Sequence, residues 1–134
     1  MITVKVQKIT YYHPNRSYAV ILKELDGDRS LPVLIGAFEA QSIAMAMEYL
    51  ETPRPLTHDL IVNLINGIEG KLSSVKITKL EDGVFFSILD IQSNSLGHRE
   101  IDSRPSDALA VALRMHSPIP VSYTHLTLPT TPYV

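Results

Sequence analysis

Two Asp-Gly dipeptides, Asp26-Gly27 and Asp82-Gly83, each stand between apolar runs of strand length. Asp-Gly readily takes the positive φ of a tight turn, so each reads as a hairpin. The first joins Tyr18-Ala-Val-Ile-Leu22 to Leu31-Pro-Val-Leu-Ile35. The second joins a segment in which Val75 and Ile77 alternate with Lys76 and Thr78 to Val84-Phe-Phe-Ser-Ile-Leu-Asp-Ile91. Hairpins enforce antiparallel pairing, so the expected class is α+β rather than a doubly wound parallel sheet.

Other strand signals agree. Ile2, Val4 and Val6 alternate with Thr3, Lys5 and Gln7, as in a half-buried strand. Tyr18–Leu22 is apolar throughout, like a strand covered on both faces. Pro32 has no N–H to donate, which places its strand at an edge or late in pairing. Residues 98–101 form a short strand after a turn, and 118–121 return to the sheet.

Helical spacing takes over between residues 37 and 50. Ile43, Met47 and Leu50 share one face, and Ala37, Ala40 and Ala44 give a small-residue face suited to close packing. Pro53 and Pro55 end this helix. Thr57 is a suitable N-cap for a second helix, where Leu60, Leu64 and Ile68 form one stripe with Ile61 and Ile65 beside it. Gly70 is placed to close it. A third helix spans 105–115. The predicted order is β-β-β-α-α-β-β-β-α with a last strand: a mixed, largely antiparallel sheet carrying three helices. The halves echo each other as hairpin, Arg-Pro and helix with an early Asp, which suggests an internal β-β-α duplication.

At 134 residues the chain suits one domain that buries a core without staples. The absence of Cys excludes disulfides and thiolate metal sites and fits a reducing compartment. The start alternates, unlike a signal peptide, and no apolar run approaches the roughly 20 residues of a bilayer span. The expectation is a cytoplasmic chain with no membrane partner. A net charge of -2, from 12 basic and 14 acidic residues, gives no general pull on nucleic acid, so any such contact is local. Val121–Val134 carries no Asp, Glu, Lys or Arg and resembles a translated sequencing adapter. The expected organisation is therefore a domain over 1–120 and a non-native or disordered tail over 121–134, with the native C-terminus cut near Pro120.

Chemistry-bearing residues gather at two helix starts. In Asp102-Ser-Arg-Pro-Ser-Asp107, Ser103 can cap, Pro105 suits the first turn and Asp107 is favoured by the helix dipole. Capping leaves Asp102 and Arg104 unexplained. An Arg beside free helix N–H groups can cradle an anion, while an internal Asp–Arg bridge is the plainer account. Arg54-Pro-Leu-Thr-His-Asp59 repeats the arrangement. A protonated His58 is unfavourable there, so a neutral imidazole acting as general base or metal ligand is one reading and an exposed His the other. Glu39 and Glu48 are nine residues apart on the first helix and face roughly opposite ways. At most one of them joins a shared site, and Glu39 is the candidate. No dinucleotide, P-loop, zincin or nucleophile-elbow motif is present, nor the aromatic stacking strand of RNA-recognition domains.

Three blocks, Leu31–Ala40, Arg54–Leu60 and Asp102–Leu109, together resemble the bifunctional nuclease domain family, and the likeness covers essentially Met1 to Pro120. The resemblance implies an α+β domain with mostly bacterial and plant members, some of which cleave DNA and RNA. Glu39, Arg54, His58, Asp59, Asp102, Arg104, Ser106 and Asp107 match the family's pattern. The resemblance implies that members usually continue past the position of Pro120, often with a further helical or acidic segment, and the expectation is that this segment is cut off here.

These residues set the functional expectation: a hydrolase of DNA or RNA phosphodiesters assisted by Mg²⁺ or Mn²⁺. His58, Asp59, Asp102 and Asp107 would be catalytic; Asp102, Asp107 and Glu39 would ligate metal. Arg54, Arg104 and Ser106 would hold phosphate. This requires the two Arg-Pro helix starts to meet in space. The alternative is a non-catalytic regulatory module that binds an anion or partner through those helix N-termini. A third reading is structural, with Asp–Arg pairs locking helices to the sheet at a homodimer interface.

Overall fold

A computed structural model describes residues 1–122, so of the tail expected over 121–134 all but the first two residues lie outside the described residues. The elements run β1 (Ile2–Tyr12), β2 (Ser17–Glu24), β3 (Ser30–Ile35), α1 (Ala37–Met47), α2 (Thr57–Gly67), β4 (Gly70–Glu81), β5 (Val84–Ser93), β6 (Gly97–Ser103), α3 (Pro105–Met115) and β7 (Ile119–Val121), with a short 3₁₀ turn at His13–Asn15. The strands form one sheet in the order β3-β2-β1-β7-β4-β5-β6. All neighbours pair antiparallel except β4 and β7. The α+β class, the mixed sheet and the three helices are thus as expected, and β3, with Pro32, is an edge strand.

The topology corrects the internal echo, which does not run through the two Arg-Pro helix starts. Each half is a three-stranded meander followed directly by a helix, β1-β2-β3-α1 and β4-β5-β6-α3. The counterpart of α3 is therefore α1, and α2 with its Arg-Pro start is the extra element. Short β7 joins the halves, and its Val121 is fully buried.

The two Asp-Gly turns differ. Asp82 and Gly83 have φ of 53° and 77°, as a two-residue hairpin turn with positive φ at both positions demands. The β2–β3 loop is longer, and the Glu24 carboxylate clamps it by accepting the Arg29 N–H at 2.9 Å and its guanidinium at 2.8 Å. A Cβ on Gly27 would lie 2.3 Å from Glu24 Oε2, so glycine here serves close approach.

Irregularities in β1 and β4 place the core. Register shifts between Val6 and Lys8, and between Leu72 and Ser74, offset the strict alternation. Val4, Val6 and Ile9 can thereby all pack on the core, as can Leu72, Val75 and Ile77. α3 lies at the centre, with Ala108 to Ala112 all at 0–1% exposure and both α1 and α2 packed on it. Its small side chains permit that approach.

Several local expectations are corrected. Leu56, not Thr57, is the N-cap of α2, and the Asp59 carboxylate accepts the Leu56 N–H at 2.9 Å. α2 faces inward through His58, Ile61, Val62 and Ile65, while the Leu60, Leu64 and Ile68 stripe is exposed. Gly70 opens β4 instead of closing α2. Ser103 stays in β6, its hydroxyl 2.9 Å from that of Ser87, and Arg104 is the N-cap of α3. α1 ends at Met47, which leaves Leu50 exposed. No helix among the described residues is long and apolar enough to cross a membrane.

Candidate functional site

The inward position of His58 follows from the spacing of α2. Residues 58, 61, 62 and 65 share one helical face, and α3 covers that face. His58 is thereby held at 8% exposure in the first turn of α2, between α1 and α3. Its Nδ1 lies 2.6 Å from Ser42 Oγ of α1, and its Nε2 lies 2.8 Å from Asp107 Oδ1 of α3. Asp107 occupies the first turn of α3, where the helix dipole favours a carboxylate.

Two arginines extend this line. Arg104 Nε donates to Asp107 Oδ2 at 2.9 Å, its Nη2 to Oδ1 at 3.3 Å, and its Nη1 to Glu39 Oε2 at 3.4 Å. Arg114 Nε donates to Asp59 Oδ1 at 2.9 Å, and its Nη1 to the Ala110 carbonyl at 2.9 Å. Arg114 Nη2 reaches Ser42, donating to its carbonyl at 3.3 Å and to its Oγ at 3.2 Å. The bonds run without a gap from Glu39 through Arg104, Asp107, His58, Ser42 and Arg114 to Asp59, and they tie all three helices together.

The charges are mutually compensated. Burial pushes the Asp107 carboxyl up, but the Arg104 guanidinium and then His58 outweigh it, and the net position is below the usual carboxylate range. The Leu56 N–H holds the Asp59 carboxyl down, burial opposes, and Arg114 assists. Asp107 in turn raises the Arg104 guanidinium.

A cleft of about 630 Å³ opens over this line. Glu39, Ser42, His58, Arg104 and Asp107 give its polar wall, and Phe38, Met45 and Leu56 give its apolar rim. Phe38 is 87% exposed. A second cleft of about 580 Å³, between the end of β3 and the β4–β5 turn, shares Glu39 and Arg104 with the first. The Glu39–Arg104 pair therefore stands between them.

Of the eight residues expected to form one site, four come together and four lie elsewhere. His58, Asp107, Arg104 and Glu39 come together in the larger cleft. Asp59 lies on the far side of Ser42, paired with Arg114, and Ser106 is buried and faces the second cleft. Asp102 is exposed on β6, and Arg54 is exposed in the α1–α2 connection. Neither side chain makes a hydrogen bond or ion pair among the described residues. The two helix starts do meet, but through His58 and Asp107 rather than through their arginines.

The carboxylates of the cleft are mostly committed to protein partners. A Mg²⁺ site of a nuclease is usually held by one or two carboxylates, with water and the substrate phosphate completing the shell. Both Asp107 oxygens and one Glu39 oxygen already accept from Arg104, His58 also claims Asp107, and Asp102 lies apart. No group of three His, Asp or Glu side chains among the described residues converges to hold a metal.

Ser42 and Arg114 were not among the sequence candidates. A signal existed for each. Arg114 is seven residues from Asp107, two helical turns, on a helix otherwise apolar to its end. Ser42 is three residues from Glu39 and so shares its face.

Comparison with known proteins adds the lineage. A family profile described as the bifunctional nuclease domain matches residues 20–127. An uncharacterized protein of Mycobacterium tuberculosis (strain CDC 1551 / Oshkosh) is 41% identical over 116 residues, 87% of this chain and 68% of that protein. Bifunctional nuclease 1 of Oryza sativa subsp. japonica is 26% identical over 110 residues, 78% of this chain and 33% of the plant protein. Bifunctional nuclease 1 of Arabidopsis thaliana is 26% identical over 107 residues, again 33% of its own length. The chain thus spans about a third of these plant relatives.

Proposed function

The chain belongs to the bifunctional nuclease domain family, and from that premise we propose that it hydrolyses nucleic-acid phosphodiesters in the cleft over His58 and Asp107. The observation that carries the reading is the row Ser42–His58–Asp107–Arg104 along the floor of an open cleft.

Each group has a task there. Asp107 fixes the His58 ring through Nε2, which sets its tautomer and leaves the other nitrogen to exchange a proton. Arg104 pairs with both Asp107 and Glu39 yet stays 65% exposed along its side chain, so a phosphoryl group can share its charge. Exposed Phe38 on the rim offers a face for an unpaired base to stack on. With a net charge of -2, binding rests on these local contacts and not on a general field.

The purified chain, incubated with labelled single-stranded and duplex DNA and RNA in Mg²⁺, Mn²⁺ or EDTA, provides the test. We expect cleavage by the wild type and a loss of about 10²–10⁴-fold in His58→Ala, the usual weight of a proton-transfer group. Wild-type rates in a folded His58→Ala protein would overturn the assignment. One observation favours a second reading: both His58 nitrogens and both Asp107 oxygens already have partners, as in a purely structural tie. That reading predicts no cleavage by the wild type and a loss of stability in His58→Ala.

A further inference from the structure

We propose that Ser42 is a nucleophile, activated by His58 and Asp107, and that phosphoester hydrolysis in this cleft passes through a covalent phosphoryl-Ser42 intermediate. The proposal rests on the phosphodiesterase reading for its substrate, but its chemistry can be tested without nucleic acid.

Hydrogen-bond bookkeeping fixes the direction of the chain. Asp107 accepts from Arg104 on both oxygens, and an ionised carboxylate has no proton to give. The proton between Asp107 and His58 therefore sits on Nε2, 2.8 Å from Oδ1. A neutral ring then has a lone pair at Nδ1, which must accept. Facing it at 2.6 Å is Ser42 Oγ, which already accepts from Arg114 Nη2 at 3.2 Å. Arg114 can only donate, so the Ser42 hydrogen points at His58 Nδ1. The result is a hydroxyl on a base that a carboxylate orients, the relationship a serine nucleophile needs. The ring is turned relative to the familiar serine-hydrolase arrangement, with Nδ1 as the base and Nε2 facing the acid. Either nitrogen can perform either role.

Two further observations separate this from an ordinary helical serine. A serine within a helix commonly bonds back to its own preceding turn. Ser42 instead turns to His58 and Arg114, on two other helices. It also lines the same cleft as Arg104. Arg114 is thus placed to stabilise the developing alkoxide, and Arg104 the equatorial phosphoryl oxygens.

In the first step Ser42 Oγ attacks phosphorus, the Oγ–P bond forms and the ester P–O bond to the leaving group breaks. The Ser42 proton moves to His58 Nδ1, and the departing oxygen, opposite Ser42 in the in-line displacement, takes a proton from solvent water. In the second step water attacks the same phosphorus from the side the leaving group vacated and loses a proton to solvent, while His58 returns its Nδ1 proton to Ser42 Oγ as the Oγ–P bond breaks. The sum is one phosphodiester and one water giving a phosphomonoester and an alcohol.

An alkyl fluorophosphonate reports on the nucleophile alone, because an activated serine displaces fluoride and keeps the phosphonyl group. The full chain is incubated with this probe, digested, and its Ser42 peptide weighed by mass spectrometry. We expect one adduct, on Ser42, none in Ser42→Ala, and labelling at least tenfold slower in Asp107→Asn and His58→Ala, with circular dichroism confirming each fold. Ser42→Cys, which keeps a nucleophile, is expected to take an alkylating probe at residue 42 faster than a free thiol does. An unlabelled Ser42 in the folded wild type overturns the proposal, whatever the chain does to nucleic acid. If that same protein cleaves nucleic acid, and Ser42→Ala cleaves as fast, the phosphodiesterase reading stands with water as the direct nucleophile. A labelled Ser42 in a chain that cleaves no nucleic acid supports the nucleophile and removes only the substrate.

Discussion

Arg114, in the last turn of α3, donates to Asp59, in the first turn of α2, at 2.9 Å. The two residues are 55 positions apart in the chain. This pair fixes the start of α2 against the end of α3, and His58 is the next residue along. The same guanidinium holds Ser42 of α1. One side chain therefore sets the positions from which the cleft's serine and histidine meet.

Arg114→Ala should accordingly destabilise the protein. The Arg114 side chain is 11% exposed and that of Asp59 37%, so part of the pair is screened by water. Loss of the charged bonds, with the Ser42 and Ala110 carbonyls left short of a donor, costs roughly 2–3 kcal/mol. Arg114→Lys keeps the charge but cannot make four directed bonds, and is expected to recover only about half. Urea denaturation reads both, and a change below about 0.5 kcal/mol in Arg114→Ala, the range of an ordinary surface substitution, would contradict this account.

Acid should weaken the fold through the same carboxylates. Asp59 and Asp107 both lie below their ordinary range in the folded chain. Depressed groups contribute stability that is complete above the unfolded value, near 3.9 for Asp, and is lost as pH falls through the folded value. The urea midpoint should therefore fall between roughly pH 5 and 2, where these groups take up protons. Asp107→Asn removes one of them, so its midpoint should fall less steeply over that window. Parallel wild-type and variant curves would show that Asp107 carries no such linkage.

Two glycines in open surroundings should respond with opposite signs. A Cβ on Gly83 or on Gly67 would meet nothing within 4 Å, so packing does not enter. Gly83 has φ of +77°, and Gly83→Ala should cost about 1 kcal/mol of backbone strain. Gly67 closes α2 in helical conformation, and Gly67→Ala should stabilise by roughly 0.4–1 kcal/mol. Thermal unfolding of the two variants checks the contrast, and shifts of the same sign would refute it.

The hairpins and the helices were legible because their signals are local. Asp82-Gly83 needs only its own φ angles to make a hairpin, and Pro105 with Asp107 suffices to open α3. Pro32 marked an edge because a missing N–H is a property of one residue. The inward face of α2 was not legible. Leu60, Leu64 and Ile68 make one apolar stripe and Ile61, Val62 and Ile65 another. It is the second that is buried, together with His58, whose two nitrogens Asp107 and Ser42 satisfy. Those partners are 49 and 16 residues away, and no helical period reports them. The same reason hid Ser42 and Arg114. Asp102 looked equivalent to Asp107 by charge and motif. Its place on the last exposed strand, one turn short of the helix, is decided by where β6 ends.

The contrast between those two aspartates tests the central claim most directly. Nucleic-acid cleavage should be measured for Asp107→Asn and Asp102→Asn beside the wild type, with each variant's fold verified. Losing the carboxylate that orients His58 should lower the rate by about a hundredfold or more, while Asp102→Asn should cleave as the wild type does. Equal rates in both variants, or a larger loss in Asp102→Asn, would contradict a site built on His58 and Asp107.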